Sequence, residues 1–278
     1  MSPPRLGLRP SQTSKRHLGC YYHVVRPTIS VITISLNNVA GLRRTRNSVV
    51  AQKDVKISHI IVDGGSTDGT KEFLSTLDGV DWSSSPDNGR YDAMNRGIAR
   101  APTDLIWLMH AGDTFGDDYS VDKVLRSYAQ KKWSWAYGFL RVMGSDGKMV
   151  GIGGFAPFDI HRLALGDRVI PHQAAIFERR LHQQVGGYDE EFGLAADQLY
   201  MLQVAKLERP FVIGEFLCDF DGQGAGSTRD IWSHFADMNR ARKIAGVKVS
   251  GSYLADRAVS LGIFSAAAVK QRAKSLIT

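Results

Sequence analysis

Three aspartates sit where a strand or a helix would deliver them to a ligand, and together they could handle a nucleotide and a metal ion. Asp63 ends the apolar run IIVD and is followed by Gly64-Gly65 and the capping trio Ser66-Thr67-Asp68. That order predicts a buried strand, a tight turn and a helix N-terminus. A carboxylate so placed can accept hydrogen bonds from a nucleobase imide or from ribose hydroxyls, and paired glycines let a ligand approach the backbone. It can equally cap the next helix, which is the expected role of Asp68. Asp113 closes the run LIWLMHAGD. An acid at such a turn is a ligand type for Mg²⁺ or Mn²⁺, which prefer carboxylate and phosphate oxygens, or else a turn cap. Asp197, in GLAADQLY, opens a helix. There it can act as a general base or only as an N-cap.

Two further segments carry reactive side chains. DNGRYDAMNRG, Asp87–Gly97, crowds Asp87, Arg90, Asp92, Asn95 and Arg96 onto one turn and helix. Arg90 can pair with a phosphate there. A solvated helix face with internal salt bridges is the competing reading. His172, in IPHQAAIF, is an isolated imidazole of the kind more often structural than catalytic.

The elements that must position these residues follow an alternating order. Strands are expected over Thr28–Ser35, Ile57–Asp63, Leu105–Met109 and Ala174–Phe177. Helices are expected over Val39–Gln52, Thr67–Leu77, Tyr91–Arg100, Val121–Gln130 and Asp197–Leu207. This order predicts an α/β domain whose mainly parallel sheet has helices on both faces. Phe139–Val150 reads as a hairpin around Gly144-Ser145-Asp146-Gly147, and Gly151–Leu165 as irregular chain. Arg229–Ala245 and Ser252–Leu276 read as C-terminal helices.

Charge divides the 278 residues into three parts. Residues 1–26 hold five bases and no acids and read as a flexible basic extension; residues 229–278 hold nine bases and three acids. The stretch 27–228 between them is net acidic, at −4. The net charge of +7 therefore sits at the ends, which argues against nucleic acid as the partner. An acidic core that binds an anionic nucleotide calls for a divalent cation as a bridge. The basic ends suit either solubility or peripheral contact with an anionic membrane face. The last helix is expected to pack on the body of the protein. No apolar run reaches the length of a membrane span, and Cys20 and Cys218 make no disulfide framework. A dinucleotide-dependent dehydrogenase is disfavoured, because SLNNVAG stands where its glycine fingerprint would be.

Taken in chain order, several segments resemble those of the family 2 glycosyltransferases, which have the GT-A fold, a Rossmann-like α/β architecture. VITISLN resembles the family's opening strand, and VDGGSTDGT its nucleotide-binding turn. SPDNGRYDAMNRGI resembles the D-x-G-x-Y-D-A-M-N segment of a subgroup that builds bacterial polysaccharides and glycolipids. LMHAGD is similar to that subgroup's L-N-A-G-D, with His110 in place of the usual Asn. IPHQAAIF, GGYDEEF and AADQLY are similar to its acceptor-side segments, with Ala196 where the family's E-D pair has its glutamate.

The resemblance, which spans about Thr28 to Ser227, implies a GT-A domain over 27–228 with a helical basic appendage over 229–278. It implies an inverting, metal-dependent transferase that moves a sugar from a nucleotide-diphosphate sugar, UDP-sugars being favoured, to a glycan or lipid-linked hydroxyl. Ser35, Asn37, Asp63, Gly64, Asp87, Arg90, Asp92, Asn95 and His172 would line the donor site. Asp113 would bind Mn²⁺ or Mg²⁺, and Asp197 would be the base. The setting implied is cytoplasmic, at the inner membrane face. The rival expectation is a degenerate relative that binds nucleotide-sugar without turnover, motivated by the shortened metal and base motifs.

Overall fold

A computed structural model describes residues 27–222 and 230–275. The basic extension 1–26 falls outside the described residues, as do 223–229 and the last three positions. The first half alternates, with β3 added to the expected order: β1 (Ile29–Ser35), α1 (Val39–Val50), β2 (Ile57–Asp63), α2 (Thr70–Ser75), β3 (Asp81–Ser84), α3 (Arg90–Ala99) and β4 (Leu105–Leu108). The second half runs β5 (Thr114–Phe115), α4 (Ser120–Lys131), β6 (Trp135–Met143), β7 (Met149–Gly153), α5 (Ile160–Leu165), β8 (Ala175–Glu178), α6 (Arg179–Val185), α7 (Ala196–Leu207), β9 (Phe211–Asp221), α8 (Ile231–Ile244) and α9 (Tyr253–Ser275).

All of the strands join one mixed sheet of order β3-β2-β1-β4-β8-β6-β9-β5, with β7 paired to β6. Strands β1 to β4 are mutually parallel where they pair. β8 then enters antiparallel to both β4 and β6, so β6 resumes the direction of the first half and β8 alone is reversed between them. β9 lies parallel to β6 and antiparallel to β5. The expected hairpin forms between β6 and β7, turning at Gly147 with φ 74°.

Period-two alternation divides the core between the two sheet faces. Ile106 and Leu108 of β4 join α3, α7 and the C-terminal helices on one face. Leu105 and Trp107 of the same strand meet α1 and α4 on the other. α8 and α9 share the first of these cores through Met238, Ala241 and Phe264.

Five elements escaped the sequence reading. β3 and β5 are only four and two residues long, below the span at which periodicity speaks. β9 interrupts its apolar alternation with Gly214 and Glu215. α6 is a short polar helix. α5 lies inside the stretch expected to be irregular: Asp159 caps its N-terminus by accepting from the His161 and Arg162 amides, and Gly166 ends it in the left-handed region. No helix among the described residues is long and apolar enough to cross a membrane.

Candidate active site

A cavity of about 880 Å³ opens over the C-terminal ends of β1 and β4 and the end of β9. This is where ligands of open α/β sheets bind. Its walls include Ser35, Asn37, Asp87, Arg90, His110, Asp113 and Asp221.

The loop after β1 is laced to the loop after β2. The Asn37 amide donates to Ser66 Oγ at 2.7 Å, and Asn37 Oδ1 accepts from the Thr67 amide at 2.9 Å. Asn37 takes φ 50° to do so, a conformation Asn tolerates better than most residues. Asn38 caps α1 through the Gly41 amide and donates from Nδ2 to the Ala111 carbonyl. Ser35 Oγ is buried at the cavity with no hydrogen-bond partner.

Asp63 does not reach the cavity wall. It is 0% exposed, and its carboxylate accepts from the Ser66 amide (3.0 Å), the Gly65 amide (3.3 Å), Ser84 Oγ (2.7 Å) and the Ser66 hydroxyl. The glycine turn folds its own donors back onto the acid. Gly64 serves a related end: a Cβ there would stand 2.6 Å from Asp87 Oδ2, so its absence brings the Asp87 carboxylate against the turn. Asp68 accepts from the Thr70 amide two residues on and from the Val39 amide at the start of α1.

The Asp87–Gly97 segment divides between cavity and scaffold. Arg90 opens α3 on the cavity wall and makes no salt bridge among the described residues. Asp92 faces the other way. It accepts from the Asn88 amide at 2.8 Å and from Arg96 at 2.7 Å, while Arg96 donates to the Pro86 carbonyl. Asn95 brackets Tyr188 with both amide atoms and reaches Glu190, so it secures the loop ahead of α7.

Asp113 is held by partners far off in sequence. Buried Thr45 on α1 donates to its carbonyl at 2.7 Å and accepts from the Gly112 amide at 3.0 Å. Gly112 takes φ 112°, and a Cβ would meet Asp221 Oδ2 at 3.1 Å. The Asp221 amide donates to Asp113 Oδ1 at 3.0 Å, whereas Asp113 Oδ2 is buried without a partner. Burial pushes the Asp113 carboxyl up to about 6, against the pull of the Asp221 amide. The Asp221 carboxylate pairs with Arg44 Nη2 at 2.7 Å across the cavity mouth. Among the described residues, no three or more His, Cys, Asp and Glu side chains gather to hold a metal by themselves.

Asp197, in the first turn of α7, lies behind His110. His172 Nδ1 stands 3.3 Å from Asp197 Oδ2, and His172 Nε2 stands 3.1 Å from His110 Nε2. Asp197 also accepts from the Gln198 amide and side chain, with Tyr91 Oη at 3.4 Å. Burial alone would raise its carboxyl; the His172 and Gln198 contacts outweigh that and hold it below the usual carboxylate range. Burial keeps His110 well below its ordinary range, hence neutral. Contacts so link Asp197 and His172 to His110, which lines the cavity with Asp113, while Asp63, Asp92 and Asn95 stand in its supports. Thr45, Arg44 and Asp221 went unnoticed in the sequence. Thr45 and Arg44 sit mid-helix, and Asp221 ends a strand whose pattern was unreadable.

Residues 30–184 match the family model for glycosyl transferase family 2. An uncharacterized glycosyltransferase of Mycobacterium tuberculosis is 40% identical over 243 residues, covering 83% of this chain and 91% of its own. A PGL/p-HBAD biosynthesis glycosyltransferase of Mycobacterium bovis is 28% identical over 177 residues, covering 62% of this chain and 67% of its own. Among solved structures, S. aureus TarS in complex with UDP-GlcNAc superposes with a TM-score of 0.66 at 13% identity, over 82% of this chain and 69% of that one. The mannosyltransferase PcManGT of Pyrobaculum calidifontis, in complex with GDP-Man and Mn²⁺, gives 0.60 at 15% identity, over 91% and 81%.

Proposed function

The chain belongs to glycosyl transferase family 2, and from that premise we propose an inverting, cation-assisted transfer with Asp197 as the base. The donor is a nucleotide-diphosphate sugar, a UDP-sugar first among the candidates. The acceptor is a hydroxyl of a glycan or lipid-linked saccharide. The observation that carries the reading is the chain of contacts from Asp197 through His172 to His110 on the cavity wall. It supports a base beside the cavity that would hold the donor.

Residues 27–228 would do this work, with 229–278 as a helical appendage. The buried, partnerless Asp113 Oδ2 fits a hard divalent cation, and Asp221 beside it adds a second carboxylate. Asp113 and Asp221 would hold Mn²⁺ or Mg²⁺, with diphosphate oxygens completing the shell. When bound, the cation would offset charge growing on the leaving diphosphate.

The chain's own groups supply the rest. Arg90, with no salt bridge of its own, would meet a phosphate. Asn37, Ser35 and Asp87 would receive the nucleoside, and Asp63 would act one step back by shaping the turn they stand on. Asp197 would take the proton of the acceptor hydroxyl as the new C–O bond forms opposite the breaking one, which inverts the anomeric centre. A base so placed contributes roughly 10²–10⁴-fold in rate. The basic ends would hold the enzyme at the cytoplasmic face of a membrane carrying its acceptor.

Asp197→Asn tests the assignment. UDP binding in Mn²⁺, followed by calorimetry, should persist while product formation falls by roughly 10²-fold or more. Undiminished turnover would remove Asp197 as base. A wild-type protein that binds UDP-sugars but neither transfers nor hydrolyses them would favour the binding-only alternative.

A further inference from the structure

Asp197, His172 and His110 are linked in a way that leaves little freedom in where the protons lie. An ionised carboxylate only accepts hydrogen bonds, so the His172 nitrogen facing it, Nδ1, must carry a hydrogen. In a neutral ring Nε2 then offers only a lone pair. The atom it meets, at 3.1 Å, is His110 Nε2, which must therefore donate. The two rings lie 4.5 Å apart between centroids. His110 is itself steadied by its backbone: its carbonyl accepts from the Asp113 amide at 3.0 Å. The second His172 nitrogen thus has a fixed donor, one that comes from the strand-end turn carrying Asp113.

We propose that His110 is a positioning residue for transfer: its Nε2–H fixes the tautomer and ring plane of His172, which in turn orients the Asp197 carboxylate toward the acceptor hydroxyl. This rests on the reading of Asp197 as base. Without the His110 donor, His172 can rotate or exchange its N–H between the two nitrogens. In the wrong tautomer a bare nitrogen would face the carboxylate and repel it. Asp197 would still be held by Gln198, on Oδ1 by its amide and on Oδ2 by its side chain, but Oδ2 would lose the imidazole N–H that fixes it from the other side. The loss should therefore fall on turnover and leave donor affinity largely intact.

The test compares His110→Leu, which removes the donor at similar bulk, with His110→Gln, whose side-chain amide can present an N–H near the position of Nε2. With UDP-sugar and acceptor, kcat of H110L should fall roughly 10-fold or more, a share of the roughly 10²–10⁴ that a base contributes. Its KM for the donor should stay within about 2-fold, and H110Q should recover most of the lost kcat. Independently, ¹⁵N spectra of the histidines in the nucleotide-free protein should show His172 protonated at Nδ1 in the wild type and in H110Q, and mixed tautomers in H110L. The proposal is overturned if H110L turns over like the wild type, if both variants fall equally, if the loss lies in donor KM, or if wild-type His172 carries its proton on Nε2. The spectra need no turnover. Absence of transfer by the wild type would therefore count against the transferase reading, while a wrong His172 tautomer would count against this one.

Discussion

Two buried aspartates in different parts of the fold have opposite fates. Asp256, in α9, is 0% exposed and fully engaged: it accepts from the Val249 and Ser250 amides and from Ser250 Oγ. Arg242 on α8, 1% exposed, faces it at 4.0 Å and donates to the Ala164 carbonyl and to Ser260. Asp113 is 2% exposed and has one oxygen tied and one bare. Burial opposes the charge of both. At Asp256 the hydrogen bonds prevail and its carboxyl is held low; at Asp113 burial prevails and its carboxyl is pushed up to about 6. The satisfied acid ties α8, α9 and the loop between them to one another. The unsatisfied one stands on the wall of the cavity, where a cation could complete it.

The contrast can be broken most forcefully at the satisfied end. Asp256→Asn leaves a buried guanidinium without its counter-charge, and we expect a loss of roughly 3–5 kcal/mol in urea unfolding, with activity per folded molecule retained. A loss near zero would mean that this clasp is incidental.

Asp113→Asn should do the reverse. Mn²⁺-dependent UDP binding, measured by calorimetry, should weaken about 10-fold or more, while the cation-free protein becomes more stable at neutral pH by roughly 1–3 kcal/mol. The sign follows from linkage. A carboxyl raised to about 6 favours the folded state below its unfolded value of 3.8 and surrenders that advantage as pH climbs through 6. Asp256, held low, acts oppositely: its contribution is present above 3.8 and fades as pH falls through its lowered value. Melting curves across pH 3–7 without divalent cation should therefore lose a downward component in D113N and an upward one in D256N. Identical slopes in both variants would contradict the contrast.

The smallest effect is expected at the cavity mouth. Arg44 pairs with Asp221, but its side chain is 54% exposed. Arg44→Gln should change stability by less than about 1 kcal/mol in the same unfolding assay. A multi-kcal loss would make that wall structural rather than ligand-facing.

Much of this was readable along the chain. Apolar runs ending in acids marked β2 and the β4 turn, and glycines marked the turns beside them. The polar start of α3 was visible, yet its members were not separable: Arg90 and Asp92 are two residues apart and face cavity and scaffold respectively. Asp63 looked like the leading ligand residue. It became a turn anchor because Ser66 and Ser84, three and 21 residues away, converge on it. The antiparallel insertion of β8, and the whole of β9, left no clean period to read.

Local order and residue type were enough to specify the strand–turn–helix units and to place acids at their ends, because propensity and periodicity act over a few residues. Which acid keeps a free oxygen is a different kind of fact. It depends on donors 68 and 108 positions away, Thr45 and Asp221 around Asp113, and on His110 meeting His172 across 62 residues. Hydrogen-bond saturation in a buried site is settled by who arrives there in space, and only the assembled sheet brings those partners together.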